Sequence, residues 1–418
     1  MKKHIWIGAL CASMLMACSS GKENMQGQID VLPAFENLAE LKVSQLGKNI
    51  RYVPLETTAS SLIGGSCKVC LLEDKIMVTY GARSESHCFL FDRETGKFIR
   101  EIGHKGEDPR GYSEVKSYVH PVTGHLYFHR MPNKLIKYNQ EGEFLGEVEM
   151  PNGLPSGFYP LLTKDGMLVY EGPAFNANHQ SQLYWLDEAK GKTGEIALPV
   201  VGNSEEFKSE EIQGISVFGA GSTHMGLLGY TGAIMISFKD DVKGLYPINY
   251  PAVWEMEDGF RLHETFSDTI YQVKGLELEP YHVFNLGERR LALEDRGKKE
   301  GYEDKLSITY VLETNHLIYF QCAKNLYGDF SFYNGVYQKS NGEVVMNKVE
   351  ESFTDDLTGF LPFTPIAHTG KDEFAGILTI EQIQKWQEEH PDEKLEGVLA
   401  PLKDLDYDAN PVVVIVEP

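Results

Sequence analysis

After its first twenty residues the chain contains no further long apolar run, so the sequence offers no transmembrane helix. Basic residues are also scarce: 39 Lys and Arg stand against 61 Asp and Glu, which gives a formal net charge of −22. Such a surface repels nucleic acid and anionic lipid headgroups, so we expect no nucleic-acid partner. Hydrophobic residues still make up 42% of the chain, which is enough for a globular core.

Familiar catalytic signatures are missing too. The sequence contains no nucleophile elbow, Walker loop, HExxH motif or EF-hand loop. We therefore assign no catalytic residue, no metal ligand and no cofactor. The adjacent acids Asp240-Asp241 and Asp355-Asp356 are typical of solvated loops in an acidic, turn-rich chain, with calcium binding or acid/base chemistry as the alternative.

Cysteine is rare, and its spacing is uninformative about metal. Cys67-Lys68-Val69-Cys70 has the CxxC spacing, but a zinc site of this kind usually needs a second pair, which the sequence lacks. The motif lies in a strand-like run, where side chains three residues apart point to opposite faces. We favour buried free thiols for Cys67, Cys70, Cys88 and Cys322, with a disulfide among the first three or a metal site as alternatives.

The N-terminus has the pattern of a secretory signal. Lys2 and Lys3 precede the apolar run from Ile5 to Ala17, which is shorter than the roughly 20 residues that span a bilayer. The run ends Leu15-Met16-Ala17-Cys18, which resembles the lipobox of bacterial lipoproteins. An ordinary signal peptide with an accidental cysteine is the alternative.

The lipobox resemblance implies a location. It implies cleavage before Cys18 and lipid on its thiol, so that residues 1–17 are a signal peptide and residues 18–48 the lipidated cysteine and a tether. Two or more acyl chains hold a protein stably on a membrane. We therefore expect a lipid anchor at the outer membrane or cell surface.

A short pattern recurs along the chain: an aromatic residue, Asp or Asn, a turn with Gly, then a charged, an aromatic and an aliphatic residue. Copies begin at Phe91-Asp92 and Tyr138-Asn139, with looser copies at Leu186-Asp187 and Tyr337-Gln338. The offsets from Asp92 to Asn139 and from Asn139 to Asp187 are 47 and 48 residues. Each copy predicts a β-hairpin, because its Gly can adopt positive φ in a tight turn.

Apolar runs before each hairpin bring the total to four strands per unit, the pattern of a β-propeller. We predict an all-β chain, a six-bladed β-propeller of four-stranded antiparallel blades over residues 49–418, with one short helix near the C-terminus. The blades are expected near 67–103, 115–150, 158–198, 212–286, 306–349 and 360–418. The fourth should contain an insertion at 239–268, and the sixth should hold the helix Ile380 to Glu389 between its strands. Residues 50–55 are expected to pair with 412–416 and close the ring; a two-sheet sandwich is the alternative fold.

Several segments resemble the six-bladed β-propeller lipoproteins of Bacteroidetes, which are related to NHL-repeat propellers. The matching segments are Ile50 to Thr57, Phe91 to Tyr112, Phe266 to Tyr271 and Asp408 to Val413. Asp108 stands where that family usually has Gly. The resemblance implies the propeller fold and no agreed activity, since fold alone does not carry function.

We predict that the rigid propeller is a non-catalytic binding or scaffold module for a glycan, peptide or protein partner. Aromatic residues in connections can stack on sugars or anchor an interface, and histidines near blade entries can reach a central funnel. The candidate binding residues are Tyr112, Trp254, Phe260, His104 and His263, with Trp254 and Phe260 placed on the expected insertion. An envelope lyase or hydrolase that uses His and carboxylates in the funnel is the alternative.

Overall fold

The computed structural model describes residues 27–418 apart from 66, 83–84, 152, 155–157, 173–180, 200–210, 219–231, 249–251, 265 and 292–300. In this part of the chain the strands form seven sheets, and two α-helices accompany them. No helix among these residues is both long and apolar enough to cross a bilayer. Cys18 lies outside the described residues.

Six sheets consist mainly of antiparallel strands in chain order. Sheet 1 contains β3 (Cys67–Leu71), β4 (Lys75–Ala82), β5 (Glu85–Asp92) and β6 (Phe98–Glu101). Sheet 2 contains β7 (Glu114–Val119), β8 (Leu126–Arg130), β9 (Lys134–Tyr138) and β10 (Phe144–Glu149). Sheet 3 contains β11 (Phe158–Thr163), β12 (Gly166–Glu171), β13 (Gln182–Asp187) and β14 (Gly191–Ile196). Sheet 4 contains β18 (Val253–Met256), β19 (Gly259–His263), β20 (Thr269–Lys274) and β21 (Glu277–Asn285), with β1 (Gln28–Asp30) parallel at its edge. Sheet 5 contains β22 (Leu306–Glu313), β23 (Leu317–Lys324), β24 (Ser331–Gln338) and β25 (Val344–Lys348). Sheet 6 contains β26 (Ala367–His368), β27 (Phe374–Leu378), β28 (Val412–Glu417) and β2 (Asn49–Pro54).

These six sheets form a ring, because each packs on the next through its own apolar cluster. Leu90 of sheet 1 and Phe128 of sheet 2 share one such cluster, and five equivalent clusters join sheets 2 and 3, 3 and 4, 4 and 5, 5 and 6, and 6 and 1. The first strand of every sheet lies at the centre, where β7 contacts β4 and β11, β11 contacts β18, and β26 contacts β3. The chain is therefore a β-propeller, and its core is divided among the sheet interfaces.

The two ends of the folded chain meet in sheet 6. β2 pairs antiparallel with β28, and the register runs from Asn49 opposite Glu417 to Pro54 opposite Val412. The predicted pairing of 50–55 with 412–416 is confirmed. The strand that leaves the N-terminal region thus covers the edge of β28 and becomes the outermost strand of the last sheet.

The predicted hairpin turns are present, and one short side chain organises each. Asp92 Oδ1 accepts hydrogen bonds from the Glu94 and Thr95 amides, and Asp187 Oδ1 accepts them from the Ala189 and Lys190 amides. The Gly residues of these turns have positive φ, +69° at Gly96 and +77° at Gly191. The repeated Asp/Asn and Gly are explained by these turns.

The insertion was predicted in the wrong place. Residues 212–218 and 232–248 form an additional sheet of β15 (Ile212–Phe218), β16 (Gly232–Phe238) and β17 (Lys243–Ile248), which we call the inserted sheet. It packs against sheet 5 through Phe238 and Leu245, which contact a cluster that includes Leu326 and Phe332. Residues 253–263 instead form the first two strands of sheet 4. Both segments have hairpin patterns, so sequence alone did not show which one joins the ring.

Two further segments flank the ring. Helix α2 (Ile380–Glu389) lies between β27 and β28 as predicted, and Thr379 caps its N-terminus by accepting a hydrogen bond from the Gln382 amide. Residues 28–45, which the sequence analysis assigned to the tether, form β1, helix α1 (Val31–Glu36) and a 3₁₀ turn (Val43–Gln45). Ile29 and Val31 are fully buried, so the folded part begins before residue 49.

Candidate functional site

A central channel passes between the first strands of the six ring sheets, and it contains a cavity of about 330 Å³. Its described lining comes from β3, β4, β7, β11, β18, β22, β26 and the residues beside them, and none of it comes from the inserted sheet. Most of the wall is apolar, with Val69, Val119, Leu161, Val253 and Leu312 among its residues. The channel is the concave site that the ring provides for a ligand.

Two lysines on neighbouring strands interrupt this apolar wall. Lys68 lies on β3, and Lys116 lies on β7 where the pairing with β8 shifts between Glu114 and Ser117. Such a bulge redirects side chains locally. The Lys116 ammonium donates a hydrogen bond of 2.8 Å to the Phe158 carbonyl and lies 4.2 Å from the centre of the Tyr159 ring. The ammonium group of a lysine in sheet 2 is thus bound by a backbone carbonyl and an aromatic ring of sheet 3.

The surroundings of these lysines lower their pKa values, because burial penalises the charged form. The pKa of Lys116 is lowered to about 7, mainly by burial and also by the positive charge of Lys68, against the opposing attraction of Glu114. The pKa of Lys68 is lowered to about 8, mainly by burial and again against the attraction of Glu114. Both ammonium groups therefore change charge close to neutral pH, unlike lysines in solvent.

Histidine in and behind the channel wall is neutral at the same pH. Burial lowers the pKa of His368, which lines the channel, to about 4. His129 lies behind the wall, where its Nε2 is 2.9 Å from the Tyr118 hydroxyl and burial lowers its pKa well below 6.5. Among the described lining residues there is one histidine and no Asp or Glu, so the lysines supply the cationic charge.

A buried charged network fixes Trp254, the largest aromatic side chain of the described wall. The Trp254 indole donates a hydrogen bond of 2.9 Å to Glu313 Oε2, and Lys339 Nζ lies 2.6 Å from Glu313 Oε1. Arg261 Nε is 3.6 Å from Glu313 Oε2, and its guanidinium carbon lies 3.8 Å from the centre of the Tyr281 ring. Two cations thus lie beside one buried carboxylate, with Arg261 also paired to Asp258 at 2.6 Å, and the Glu313 carboxylate holds the indole in place.

The five predicted binding residues do not share one site. Trp254 lines the channel, whereas His263 is buried on β19 with Nε2 3.0 Å from the Ser267 carbonyl and a pKa lowered by burial to about 4. Phe260 is half-buried against Trp185, at 5.2 Å between ring centres. Tyr112 is fully buried, donates a hydrogen bond of 3.0 Å to the Ser86 carbonyl and stacks on Phe128.

His104 lines a separate surface groove of about 680 Å³ between sheets 1 and 2. Its Nε2 lies 2.6 Å from Asp108 Oδ2, and Arg110, Tyr138 and Phe144 form part of the same groove. Polar atoms dominate its wall, in contrast to the channel. Tyr112 lies in the segment that joins β6 to β7 and holds this segment to sheet 1 through its hydrogen bond to the Ser86 carbonyl.

Asp240 and Asp241 are exposed, as predicted for solvated loop residues, whereas Asp355 of the second acidic pair departs from that prediction. Asp355 is buried and accepts hydrogen bonds from the Tyr52 hydroxyl and the Leu357 amide, while Asp356 accepts from Ser44. The four described cysteines are free thiols. Cys67 and Cys70 contact different apolar clusters, on opposite faces of β3 as expected, and burial raises the pKa of each thiol. The described residues contain no group of three or more His, Cys, Asp or Glu side chains that could hold a metal.

Sequence reasoning missed Lys68, Lys116 and His368. Lys68 lies inside the CxxC motif and Lys116 follows Val115, so both are cations within strand-like runs. That combination was an available signal, because charged residues are rarely placed inside a buried strand without a reason. The sequence does not show which strand of each sheet faces the axis. Without that information, the two lysines cannot be assigned to one channel.

Residues 26–417 match the family model DUF4934, described as a domain of unknown function. No curated protein matches the chain. Among solved structures, a Bacteroides fragilis protein described as exported is similar at 13% identity and a TM-score of 0.59, over 94% of this chain and 100% of that one. A DUF4221 member from Bacteroides vulgatus matches at 10% identity and a TM-score of 0.45, over 89% of this chain and 98% of that one. The WD40 repeats of RRP9 match at 11% identity and a TM-score of 0.36, over 91% of this chain and 99% of that one.

Proposed function

Because the chain belongs to the DUF4934 family, whose function is unknown, we propose a function from its geometry: it is a non-catalytic binding module of the bacterial envelope, and its ligand enters the central channel. The observation that carries this proposal is the channel itself, an apolar cavity with two lysines on its wall. Concave apolar sites with a few convergent polar groups are the usual form of small-ligand sites.

The composition of the wall supports binding over catalysis. A lyase or hydrolase of the alternative type needs a histidine and a carboxylate close to each other and to the substrate. His368 is the one histidine among the described lining residues, and burial holds it neutral with a pKa of about 4. The Asp and Glu residues nearest to it act from behind the wall. The channel therefore binds its partner without changing it chemically. Where the partner is a glycan, peptide or protein, one part of it enters the channel.

Envelope attachment completes the proposal. Lipid on Cys18 is the proposed anchor, with the outer membrane or cell surface as its location. The similarity to a Bacteroides fragilis protein that is described as exported and the signal-like N-terminus support this placement. A six-bladed, NHL-like classification is part of the same proposal, supported by the six sheets that line one channel.

Filling the channel tests whether it is the binding site. Ala367 lines the channel on β26, so Ala367→Phe should place a ring in the cavity. Titration with N-phenyl-1-naphthylamine, a neutral apolar dye that fluoresces when it leaves water, should give saturable binding in the full chain. We expect the substitution to weaken binding at least about tenfold, since the ring occupies volume that the dye needs.

Ala189→Phe is the matched control, because it makes the same change at an exposed position of the β13–β14 turn. It should bind the dye like the unsubstituted protein, and thermal unfolding should show that both variants fold. Dye binding that Ala367→Phe leaves unchanged, or an absence of binding to the unsubstituted chain, would overturn the channel as the site.

A further inference from the structure

We propose that the channel takes a small ligand with a carboxylate on an apolar body, and that Lys68 and Lys116 hold the carboxylate; this inference rests on the proposed function and names its ligand class. The two lysines lie on the first strands of neighbouring sheets, and both line the same cavity. Ser117 and Thr79 lie beside them on the wall and add hydroxyl groups that can donate to an anion. The remainder of the lining is mostly apolar, with His368 among the polar exceptions.

Two positive charges close together on a mostly apolar wall create a positive potential that favours an anion in the cavity. Removing an ammonium group from water costs several kcal/mol, and a second positive charge nearby adds repulsion. Glu114 attracts both lysines, but its side chain is 60% exposed and is not part of the described lining. A bound carboxylate would face both charges inside the low-dielectric channel, where their attraction is stronger than in water.

The rest of the wall selects the body of the ligand. Val69, Val119 and Leu161 offer apolar contact, and the rings of Tyr159 and Trp254 offer flat surfaces. A sugar would leave several hydroxyl groups without partners against such a wall, which is unfavourable. A cation would be repelled by the two lysines. The geometry therefore favours an aliphatic or aromatic carboxylate over a glycan or an amine.

The charge state of the lysines gives the binding a pH dependence of defined sign. The pKa values of about 7 for Lys116 and about 8 for Lys68 mean that both lose charge as the pH rises from neutral to alkaline. The groups that act on Lys116 are Lys68 from β3, Glu114 from β7, the Tyr159 ring from β11 and neutral His129 from β8. A carboxylate stays charged throughout this range, so its affinity should fall with rising pH.

Three size-matched probes test the charge preference: 4-phenylbutyrate, its neutral amide 4-phenylbutanamide, and 4-phenylbutylamine. Isothermal titration of the full chain at about pH 6.5 should give the carboxylate at least about tenfold higher affinity than the amide, as expected for hydrogen bonds to charged groups. The amine should not bind measurably. The carboxylate should lose most of this advantage at about pH 9, whereas the amide should not respond to pH.

Substitutions separate the lysines from the rest of the channel. Lys68→Met and Lys116→Met should each reduce the affinity for 4-phenylbutyrate about tenfold and leave the amide within about twofold. Lys116→Arg should retain the preference for the carboxylate. Lys385→Met is the matched control on the exposed face of α2, where the side chain is 73% exposed, and it should change nothing.

The outcomes distinguish this inference from the proposed function. Equal affinity for carboxylate and amide, or a preference that survives Lys116→Met and Lys68→Met, would overturn the carboxylate site while dye binding in the channel still supported the binding module. Failure of all three probes, together with failure of the dye, would overturn both. Unchanged thermal unfolding of the methionine variants would show that loss of affinity is not loss of fold.

Discussion

Single buried charges decide how the channel wall is held. Glu313 is 1% exposed, yet it contacts the Trp254 indole and lies close to Lys339 and Arg261. A carboxylate in that position is stable only because cations and donors surround it. The aromatic wall of the channel therefore depends on a residue that does not itself line the cavity.

We predict that Glu313→Ala lowers the free energy of unfolding by about 3–5 kcal/mol, because it leaves the Trp254 indole without its acceptor and removes one carboxylate from buried Arg261, which keeps Asp258, and from half-buried Lys339. Glu313→Gln should cost less, since the amide oxygen still accepts from the indole. Urea unfolding followed by Trp fluorescence measures both. Glu350→Ala changes an exposed glutamate and should stay within about 0.5 kcal/mol. A Glu313→Ala variant as stable as that control would show that the network does not support the wall.

Strand pairing decides whether the ring closes. β2 contributes the outermost strand of sheet 6 from a position more than 350 residues away from β28 in sequence. Without β2, the edge of β28 would expose unpaired backbone donors and acceptors along Val412–Glu417, whose first five residues are buried and apolar. Exposed apolar edges of this kind recruit other chains.

We predict that Arg51→Pro makes the chain aggregate, whereas Arg51→Ala leaves it monomeric, because both lose the Arg51 side chain and only proline disrupts the pairing of β2 with β28. Light scattering on the purified chains measures the difference. A synthetic peptide of residues 47–56 should bind the proline variant and reduce its aggregation by supplying an intact strand. A monomeric proline variant, or an aggregating one that the peptide does not affect, would contradict ring closure by this strand.

At the same scale, local signals predicted most elements correctly. Asp92 with Gly96 and Thr379 with Gln382 act through hydrogen bonds within a few residues, so their sequence patterns are enough. The choice between the inserted sheet and the first half of sheet 4 depends on which hairpin packs into the ring. That choice is set by long-range contacts such as those of Phe238 with the sheet 5 cluster, and no local pattern reports them.

Across the whole molecule, the candidate site was harder to predict than the fold. Ring closure needed only two complementary strand-like runs, 50–55 and 412–416. The channel needed the orientation of six sheets about one axis, which determines that Lys68, Lys116 and His368 face the cavity while His263 does not. Residues from the first strands of all six sheets meet there, so the site is a property of the ring, and single segments do not reveal it.

The position of the N-terminus relates the ring to the proposed membrane anchor. The Gly27 carbonyl accepts a hydrogen bond from the Val283 amide on the outermost long strand of sheet 4. The nine peptide steps from Cys18 to Gly27 span at most about 30 Å. A lipid on Cys18 would therefore hold the outer edge of sheet 4 close to the bilayer.

We predict that Cys18→Ser moves the protein from the detergent phase to the aqueous phase in Triton X-114 partition of bacterial cells, because a protein without acyl chains has no stable hold on the membrane. Cys67→Ser is the matched control: it replaces a thiol within the propeller and should leave the protein in the detergent phase. Mass spectrometry of the N-terminal peptide should show acyl groups on Cys18 in the control alone. Equal partition of the two variants would mean that lipid on Cys18 does not hold sheet 4 at the bilayer. The outer edge of sheet 4 would then be as accessible to a partner as the outer edges of the other sheets.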